Sequence, residues 1–457
     1  MKKKIVVCGF GKTGQALLDF LLVNVEDAQM FLFNDTEIKG KENTTLKEHY
    51  ETQGVTFLLG DHCFKQLEKM DLVLLSPGID GRSERFNRIR KMNIKIISEI
   101  EFAFSTINVP IIAVTGTNGK STTATLIHHM LTHNGKKSFL TGNIGTPLIS
   151  RIKDITKDSV VVMEVSSFQL EEIDKFKPHV ALILNITTDH ISRHRNFENY
   201  VLAKFKIGIN QKPEDFIILN YDDPLLRERG NQIGKAQRLW FSRCSKDIQQ
   251  GVYAKNQSLT MNLNDRYETI SLSNSQLRGL HNIENLMAAI LAARLMGIRP
   301  EKIEASIKYF KGLPHRMESV GTIGSVEFIN DSKATNVDAT LKSINSLNHD
   351  VVLILGGKDK GGDFSLLGDS IKKRVKRVLL LGEAGPVIYQ QLSNLQDRCT
   401  FVSDLSEATS KGYNLLEKQG GVLLLAPGCA SFDMFNSFEQ RGEVFKKEVL
   451  KLRRKQG

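Results

Sequence analysis

Short apolar runs recur along the chain, each followed by a turn and then by a longer stretch of mixed polarity. They fall at residues 4–9, 30–33, 71–75, 110–114, 160–165, 180–184, 216–219, 351–355, 378–381 and 422–426. Several are rich in β-branched residues and lack period-two alternation, which predicts strands covered on both faces of a parallel sheet. Helical spacing of apolar residues is clearest over 285–296 and 442–452. Strands alternating with helices over the whole chain predict an α/β fold. No short repeat or low-complexity segment interrupts the pattern.

A length of 457 residues, set against a typical domain of about 150, predicts three domains. Asn108-Val109-Pro110 precedes a new strand, and Lys311-Gly312-Leu313-Pro314 separates a helical stretch from further strands. The expected domains are 1–107, Rossmann-like; 108–311, a central P-loop ATPase-like domain; and 312–457, again Rossmann-like.

Composition narrows the class. A hydrophobic fraction of 41% excludes wholesale disorder. Cys8, Cys63, Cys244, Cys399 and Cys429 are scattered, with no C-x-x-C pair, which excludes a disulfide scaffold and a thiolate zinc site and suits a reducing compartment. The net charge of +11 invites a nucleic-acid reading, but Lys2–Lys4 carry +3 and residues 446–457 carry +5, leaving +3 for the body. Solvated basic ends are expected, with no nucleic-acid partner. No apolar run reaches the ~18 residues of a membrane span. The apolar stretch 5–11 stops at Lys12 without a cleavage pattern. A cytoplasmic protein without stable membrane insertion is expected.

The strongest chemical signal is Val114-Thr115-Gly116-Thr117-Asn118-Gly119-Lys120-Ser121-Thr122. A buried strand runs into a Gly-rich turn and then a helix beginning at Lys120. Such a turn aims backbone N–H groups and a helix N-terminus at phosphate oxygens. Lys120 would reach the β/γ-phosphates and Ser121 a Mg²⁺ ion. The spacing is the tighter G-x-x-G-K-S-T, since Val114 stands where the usual form has its first Gly.

Gly9-Phe10-Gly11-Lys12-Thr13-Gly14 fits G-x-G-x-x-G after a strand, and a second strand ends at Asn34-Asp35. This spacing suits a dinucleotide or another nucleotide diphosphate. Ser76-Pro77-Gly78 ends a strand at the same expected edge, as either ligand contact or plain turn. Glu164 ends the run 160–165, where a carboxylate needs a partner such as Mg²⁺. The next strand empties into Asn185-Ile186-Thr187-Thr188-Asp189-His190, then Ser192-Arg193-His194, a polar cluster at the end of a parallel strand. Of the two histidines, His194 is expected to be the hydrogen-bonded surface residue. Without H-E-x-x-H or a Cys partner, catalytic zinc is excluded. By spacing alone, Lys204 reads as an exposed helix lysine.

Taken together, the phosphate loop, Glu164-Val165-Ser166-Ser167-Phe168-Gln169-Leu170, Asn185–His190 and Leu280-His281-Asn282-Ile283-Glu284-Asn285 resemble the Mur ligase family, which builds the peptidoglycan peptide in the cytoplasm. Folate polyglutamate ligases share the layout but usually carry Gly where Ser121 stands. Asn330-Asp331-Ser332-Lys333-Ala334-Thr335-Asn336, Pro427-Gly428-Cys429-Ala430-Ser431-Phe432-Asp433 and Phe438-Glu439-Gln440-Arg441-Gly442 resemble the members that add D-glutamate to UDP-N-acetylmuramoyl-L-alanine.

The resemblance implies roles. Gly116, Thr117, Asn118, Gly119, Lys120, Ser121 and Thr122 would bind ATP phosphates, with Asn282 and Asn285 near the base. Arg316 and Asp331 would contact nucleotide phosphates and ribose. Ser121, Glu164, His190 and Lys204 would hold Mg²⁺, two ions in all, with Lys204 carbamylated. The catalytic set would be Lys120, Glu164, His190 and Lys204. Thr13, Asp35, Thr36, Ser76, Gly78 and Asn143 would line the UDP-sugar site. Lys333, Thr335, Lys360, Ser431 and Phe438 would surround D-glutamate in 312–457. Two departures stand out: Ser192 where the family often has Asp, and Glu37 where some relatives carry a basic residue. The implied reaction is ATP-dependent amide formation through an acyl phosphate. Two rivals are an NAD-dependent oxidoreductase using 9–14 and a non-catalytic ATP-binding module.

Overall fold

The computed structural model describes residues 2–277, 279–347 and 350–456. The chain forms two compact units, Met1–Asn274 with Glu284–Ile307, and Ser275–Ile283 with Lys308–Gly457. The division does not follow chain order near residue 311, because the short segment 275–283 belongs with the second unit.

In the first unit, β1 (Lys3–Cys8), β2 (Ala28–Asn34), β3 (Thr56–Leu59), β4 (Leu72–Leu75) and β5 (Lys95–Ser98) form a parallel sheet in the order β3-β2-β1-β4-β5. Val6, Val7 and Cys8 are wholly buried, because helices cover both faces, and this explains the missing alternation. Cys8 pairs with Phe33 on one side and Leu75 on the other. The turns after β1, β2 and β4 therefore share one edge, at the point where strand order reverses. Open α/β sheets place their ligands at that point.

The second sheet of this unit comprises β6 (Ile111–Thr115), β7 (Ser138–Gly142), β8 (Val160–Glu164), β9 (Val180–Ile183), β10 (Phe216–Asn220), β11 (Gln237–Ser242), β12 (Gly251–Lys255), β13 (Ser258–Leu263) and β14 (Arg266–Ser271), in the order β14-β13-β12-β11-β10-β9-β6-β8-β7. It is parallel except for β12-β13-β14, an antiparallel meander. Val114 pairs with Glu164 and Thr115 with Ile183. This register brings the phosphate loop, Glu164 and the segment after β9 to one edge.

The second unit holds β15 (Glu318–Ile323), β16 (Val326–Asn330), β17 (Val351–Gly356), β18 (Val375–Leu381), β19 (Cys399–Phe401) and β20 (Gly421–Leu425), ordered β15-β16-β20-β17-β18-β19 with only β15 antiparallel. Asn330 pairs with Leu425, and Leu425 with Ile354, so the loops after β16, β20 and β17 are neighbours. These sheets and their covering helices form the expected three-domain α/β architecture of mainly parallel sheets. The basic C-terminus is helical over Phe438–Gln456 rather than a free tail, and Lys446 pairs with Glu318 at 3.0 Å. Among the described residues, no helix is long and apolar enough to cross a membrane.

Candidate active site

The phosphate loop is shaped by two glycines in conformations that L side chains avoid. Gly116 has φ +146° and Gly119 φ +87°; a Cβ on Gly119 would lie 2.2 Å from Asn285 Oδ1. Thr117 N–H donates to Asn185 O at 2.9 Å, Asn118 N–H to Asn185 Oδ1 at 2.8 Å, and Asn185 Nδ2 back to Asn118 O at 3.0 Å. Asn185 thus splints the loop. The N-cap of the helix Lys120–His133, Gly119, makes no side-chain cap hydrogen bond, and the positive end of the helix dipole faces the loop. Lys120 Nζ donates to Gly116 O at 2.9 Å and Thr117 O at 2.8 Å.

Ser121 Oγ donates to Glu164 Oε2 at 2.5 Å, and Asn143 Nδ2 donates to Glu164 Oε1 at 2.8 Å. Glu164 is buried. Asn143, read in the sequence as a sugar-site residue, therefore touches the candidate metal ligand. Lys204 lies on the buried face of the helix Phe197–Phe205, only 2% exposed, contrary to the expectation from spacing. Its Nζ donates to Gly116 O at 2.8 Å and sits 4.6 Å from the centroid of the Tyr200 ring. Burial, reinforced by the Lys120 charge, holds its pKa well below the ordinary lysine value.

His194 is hydrogen-bonded, as expected, but buried rather than at the surface. His194 is fully buried, accepts or donates at 2.9 Å with Ser167 Oγ, and stacks on Phe168 with centroids 5.5 Å apart. Burial and the Arg82 charge push its pKa down to about 4, so it is neutral. His190 is the exposed one, at φ +54°, with its ring 5.1 Å from that of Phe168. The physical reason is tertiary: Phe168 and Ser167, distant in sequence, cover His194. Arg193 joins this cluster to the first sheet. Its guanidinium donates to Ile79 O at 2.8 Å, Gly78 O at 3.4 Å and Glu171 Oε2 at 3.0 Å.

At the first sheet, a Cβ on Gly14 would lie 1.9 Å from Gly9 O, so the turn closes only with glycine there. Ser76 Oγ donates to Gly9 O at 3.4 Å. Thr13 is half-buried beside them. Asp35 accepts two hydrogen bonds from Arg85 Nη2, at 2.8 and 2.9 Å, and Asn34 Nδ2 donates to Thr36 O at 2.8 Å. Arg85, also 2.5 Å from Asp61, escaped the sequence reading because no motif marks it.

In the second unit, Asp331 is buried; it accepts from Ser343 Oγ and, at 3.2 Å, from Met317 N–H. Desolvation raises its pKa, against the lowering effect of Arg316. Asn282 is buried, and its neighbour His281 is pushed down to about 4 by burial and the Lys342 charge. Lys333 Nζ lies 3.7 Å from the Phe438 ring centroid. Ser431 is buried, Thr335 half-buried and Lys360 exposed. Asn285 belongs to the first unit, at the phosphate loop, where its Oδ1 accepts from Thr123 Oγ1 at 3.3 Å.

A splinted phosphate loop with a hydroxyl, a carboxylate and a lysine drawn around it is the site of a nucleotide-dependent enzyme, and comparison with known proteins gives the class. The chain belongs to the Mur ligase family, which carries out ATP-dependent amide-bond formation in peptidoglycan precursor synthesis. Three family models match: the Mur ligase MurD-like N-terminal domain over residues 3–98, the Mur ligase middle domain over 114–293, and the Mur ligase glutamate ligase domain over 315–429. The UDP-N-acetylmuramoylalanine–D-glutamate ligase of Thermoanaerobacter sp. (strain X514) is 39% identical over 99% of both chains. The protein of the same name from Clostridioides difficile (strain 630) is 38% identical, again over 99% of both. Among solved structures, UDP-N-acetylmuramate-alanine ligase MurC from Thermotoga maritima matches with a TM-score of 0.60 at 18% identity, covering 99% of this chain and 100% of that one. MurF ligase from the same organism, in complex with ADP, gives 0.60 at 16%, covering 99% and 96%. These two likenesses concern the fold.

Proposed function

We propose that the protein joins D-glutamate to UDP-N-acetylmuramoyl-L-alanine in the cytoplasm, with release of ADP and phosphate. The observation that carries this reading is full-length similarity, 39% and 38% over 99% of both chains, to ligases named for that reaction. In this reading 1–107 takes the UDP substrate, 108–311 ATP and 312–457 the amino acid.

The turn at 9–14 and the N-terminus of the helix Lys12–Asn24 offer N–H groups to the UDP diphosphate, with Thr13, Asp35, Thr36, Ser76, Gly78 and Asn143 around it. The loop 116–122 takes the ATP phosphates. Lys120, which donates to loop carbonyls, exchanges them for phosphate oxygens. Asn282, Asn285, Arg316 and Asp331 take the remainder of the nucleotide. Lys333, Thr335, Lys360, Ser431 and Phe438 take D-glutamate, with the two lysines matched to its two carboxylates.

The donor set fits Mg²⁺. Ser121 Oγ and Glu164 supply hard oxygens 2.5 Å apart, and Mg²⁺ keeps water and phosphate for its other positions. His190 and carbamylated Lys204 complete the protein's share, for two ions. Bound there, Mg²⁺ neutralises charge building on the transferring phosphoryl group. The depressed pKa of Lys204 supports carbamylation, because only the neutral amine adds to CO₂, losing a proton to leave an anionic carbamate.

The substrate carboxylate attacks the ATP γ-phosphorus and ADP departs. The amine of D-glutamate then attacks the acyl phosphate carbon, and phosphate leaves from the tetrahedral adduct. Lys120 and the loop amides stabilise the developing charge. The test is ADP release by purified protein with Mg²⁺, ATP and the UDP substrate, comparing D-glutamate, L-glutamate and no amino acid. Release with D-glutamate alone is expected, and Lys120→Ala abolishes it. Release with none of them contradicts the proposal.

A further inference from the structure

Arg441, in the first turn of the helix Phe438–Gln456, is the largest fully buried side chain, 1% exposed. Its Nε donates to Ser332 Oγ at 3.0 Å, and Nη2 to Ser332 O at 2.8 Å and Cys429 O at 3.2 Å. Nη1 donates to Cys429 O at 3.2 Å and Ala430 O at 3.3 Å. Every acceptor is a neutral oxygen, and all lie in two loops, those after β16 and β20.

A third loop is tied to the second. Lys358 N–H donates to Ala430 O at 2.9 Å and Ala430 N–H to Lys358 O at 3.0 Å. A Cβ on Gly357 would lie 3.1 Å from Arg441 Nη1, so this loop also packs on the guanidinium. The Ser332 hydroxyl that accepts from Arg441 donates to Phe438 O at 2.8 Å, holding the start of the helix itself. Lys333, Thr335, Ser431, Lys360 and Phe438 each lie at, or no more than three residues from, one of these tied atoms.

A buried guanidinium whose hydrogen bonds all go to neutral oxygens, with Asp433 acting on it only through its charge, is an expensive way to fill space, and an apolar side chain would pack at less cost. What the guanidinium adds is a rigid fork of five N–H donors that fixes separate backbone segments relative to one another. We infer that Arg441 is the positioning residue of the amino-acid site, setting the spacing of the three loops that bear Lys333, Ser431 and Lys360. The inference rests on the D-glutamate reading above.

The test measures kcat, KM for each of the three substrates, and Tm in Arg441→Lys and Ser332→Ala. Lysine keeps the charge and loses the fork. With it, KM for D-glutamate rises about tenfold or more, while KM for ATP and for the UDP substrate stays within about twofold. Ser332→Ala, which removes one acceptor and spares Arg441, raises the D-glutamate KM about threefold. It decides the matter if Arg441→Lys does not fold. If the D-glutamate KM is unchanged, or all three KM values move together, Arg441 merely supports the fold and the inference fails alone. If the unaltered protein shows no D-glutamate-dependent ADP release, the functional reading fails and takes the inference with it.

Discussion

Lys204 and Arg441 are both cations taken out of water, 2% and 1% exposed, each facing backbone carbonyls. Lys204 makes one hydrogen bond, to Gly116 O, and faces a tyrosine ring; its pKa falls well below the lysine value. Arg441 spends its five donors on Ser332, Cys429 and Ala430 and is lowered only to about 10, so it stays charged at neutral pH. Burial alone thus does not decide the fate of a cation: Lys204 also feels the Lys120 charge, whereas Arg441 starts from the higher guanidinium value and has the Asp433 charge near it. Sparse solvation makes Lys204 a candidate for chemistry, and full solvation by protein makes Arg441 a fixture.

The largest effect expected from this contrast is at Lys204. Lys204→Arg keeps a charge that cannot form a carbamate, and kcat should fall on the order of a thousandfold in steady-state assays. Lys204→Ala should fall similarly but regain activity with added short carboxylic acids, which supply the missing anion. Full activity of either without rescue would remove carbamylation from the account. The reciprocal change, Arg441→Lys, should leave kcat within about threefold and act on the D-glutamate KM, as set out above.

A third buried ionisable group sharpens the same point. Glu99 is 2% exposed; its Oε1 accepts from Ile149 N–H at 2.8 Å, while Oε2 has no partner. Burial pushes its pKa up to about 7. Its carboxyl form favours the folded state. The contribution is fully present below the unfolded value of 4.5 and is lost as pH rises through about 7. Glu99→Gln should therefore stabilise the protein at pH 8 by on the order of 2–3 kcal/mol and do little at pH 4.5, as read by urea unfolding. Equal effects at both pH values would show that Glu99 is not protonated in the fold. The smallest effect is Ser332→Ala on stability, about 1–2 kcal/mol, because the hydroxyl both accepts from Arg441 Nε and donates to Phe438 O.

Contiguous apolar runs made the parallel strands legible, because strands buried on both faces need no polar positions. The meander β12-β13-β14 was missed because its buried Leu259, Met261 and Ile270 alternate with polar residues. Its tight loops could have revealed it: Asn256, Asn264 and Asp265 all have positive φ, as two-residue hairpins require. The burial of Lys204 was also readable, four residues after the buried Tyr200 on one helix face. Arg441 similarly shares a stripe with the buried Phe445 and Val449. Its partner Ser332 lies 109 residues away, and no spacing rule reaches that far. His194 was misread for the same reason, since what covers it comes from another part of the chain.

Oxygen transfer tests the two-step ligation most directly. UDP-N-acetylmuramoyl-L-alanine labelled with ¹⁸O in its carboxylate is turned over with ATP and D-glutamate, and the released phosphate is analysed by mass spectrometry. Attack of that carboxylate on the γ-phosphorus, followed by loss of phosphate from carbon, predicts one ¹⁸O in each phosphate. Unlabelled phosphate, released in step with product, would contradict the acyl-phosphate route.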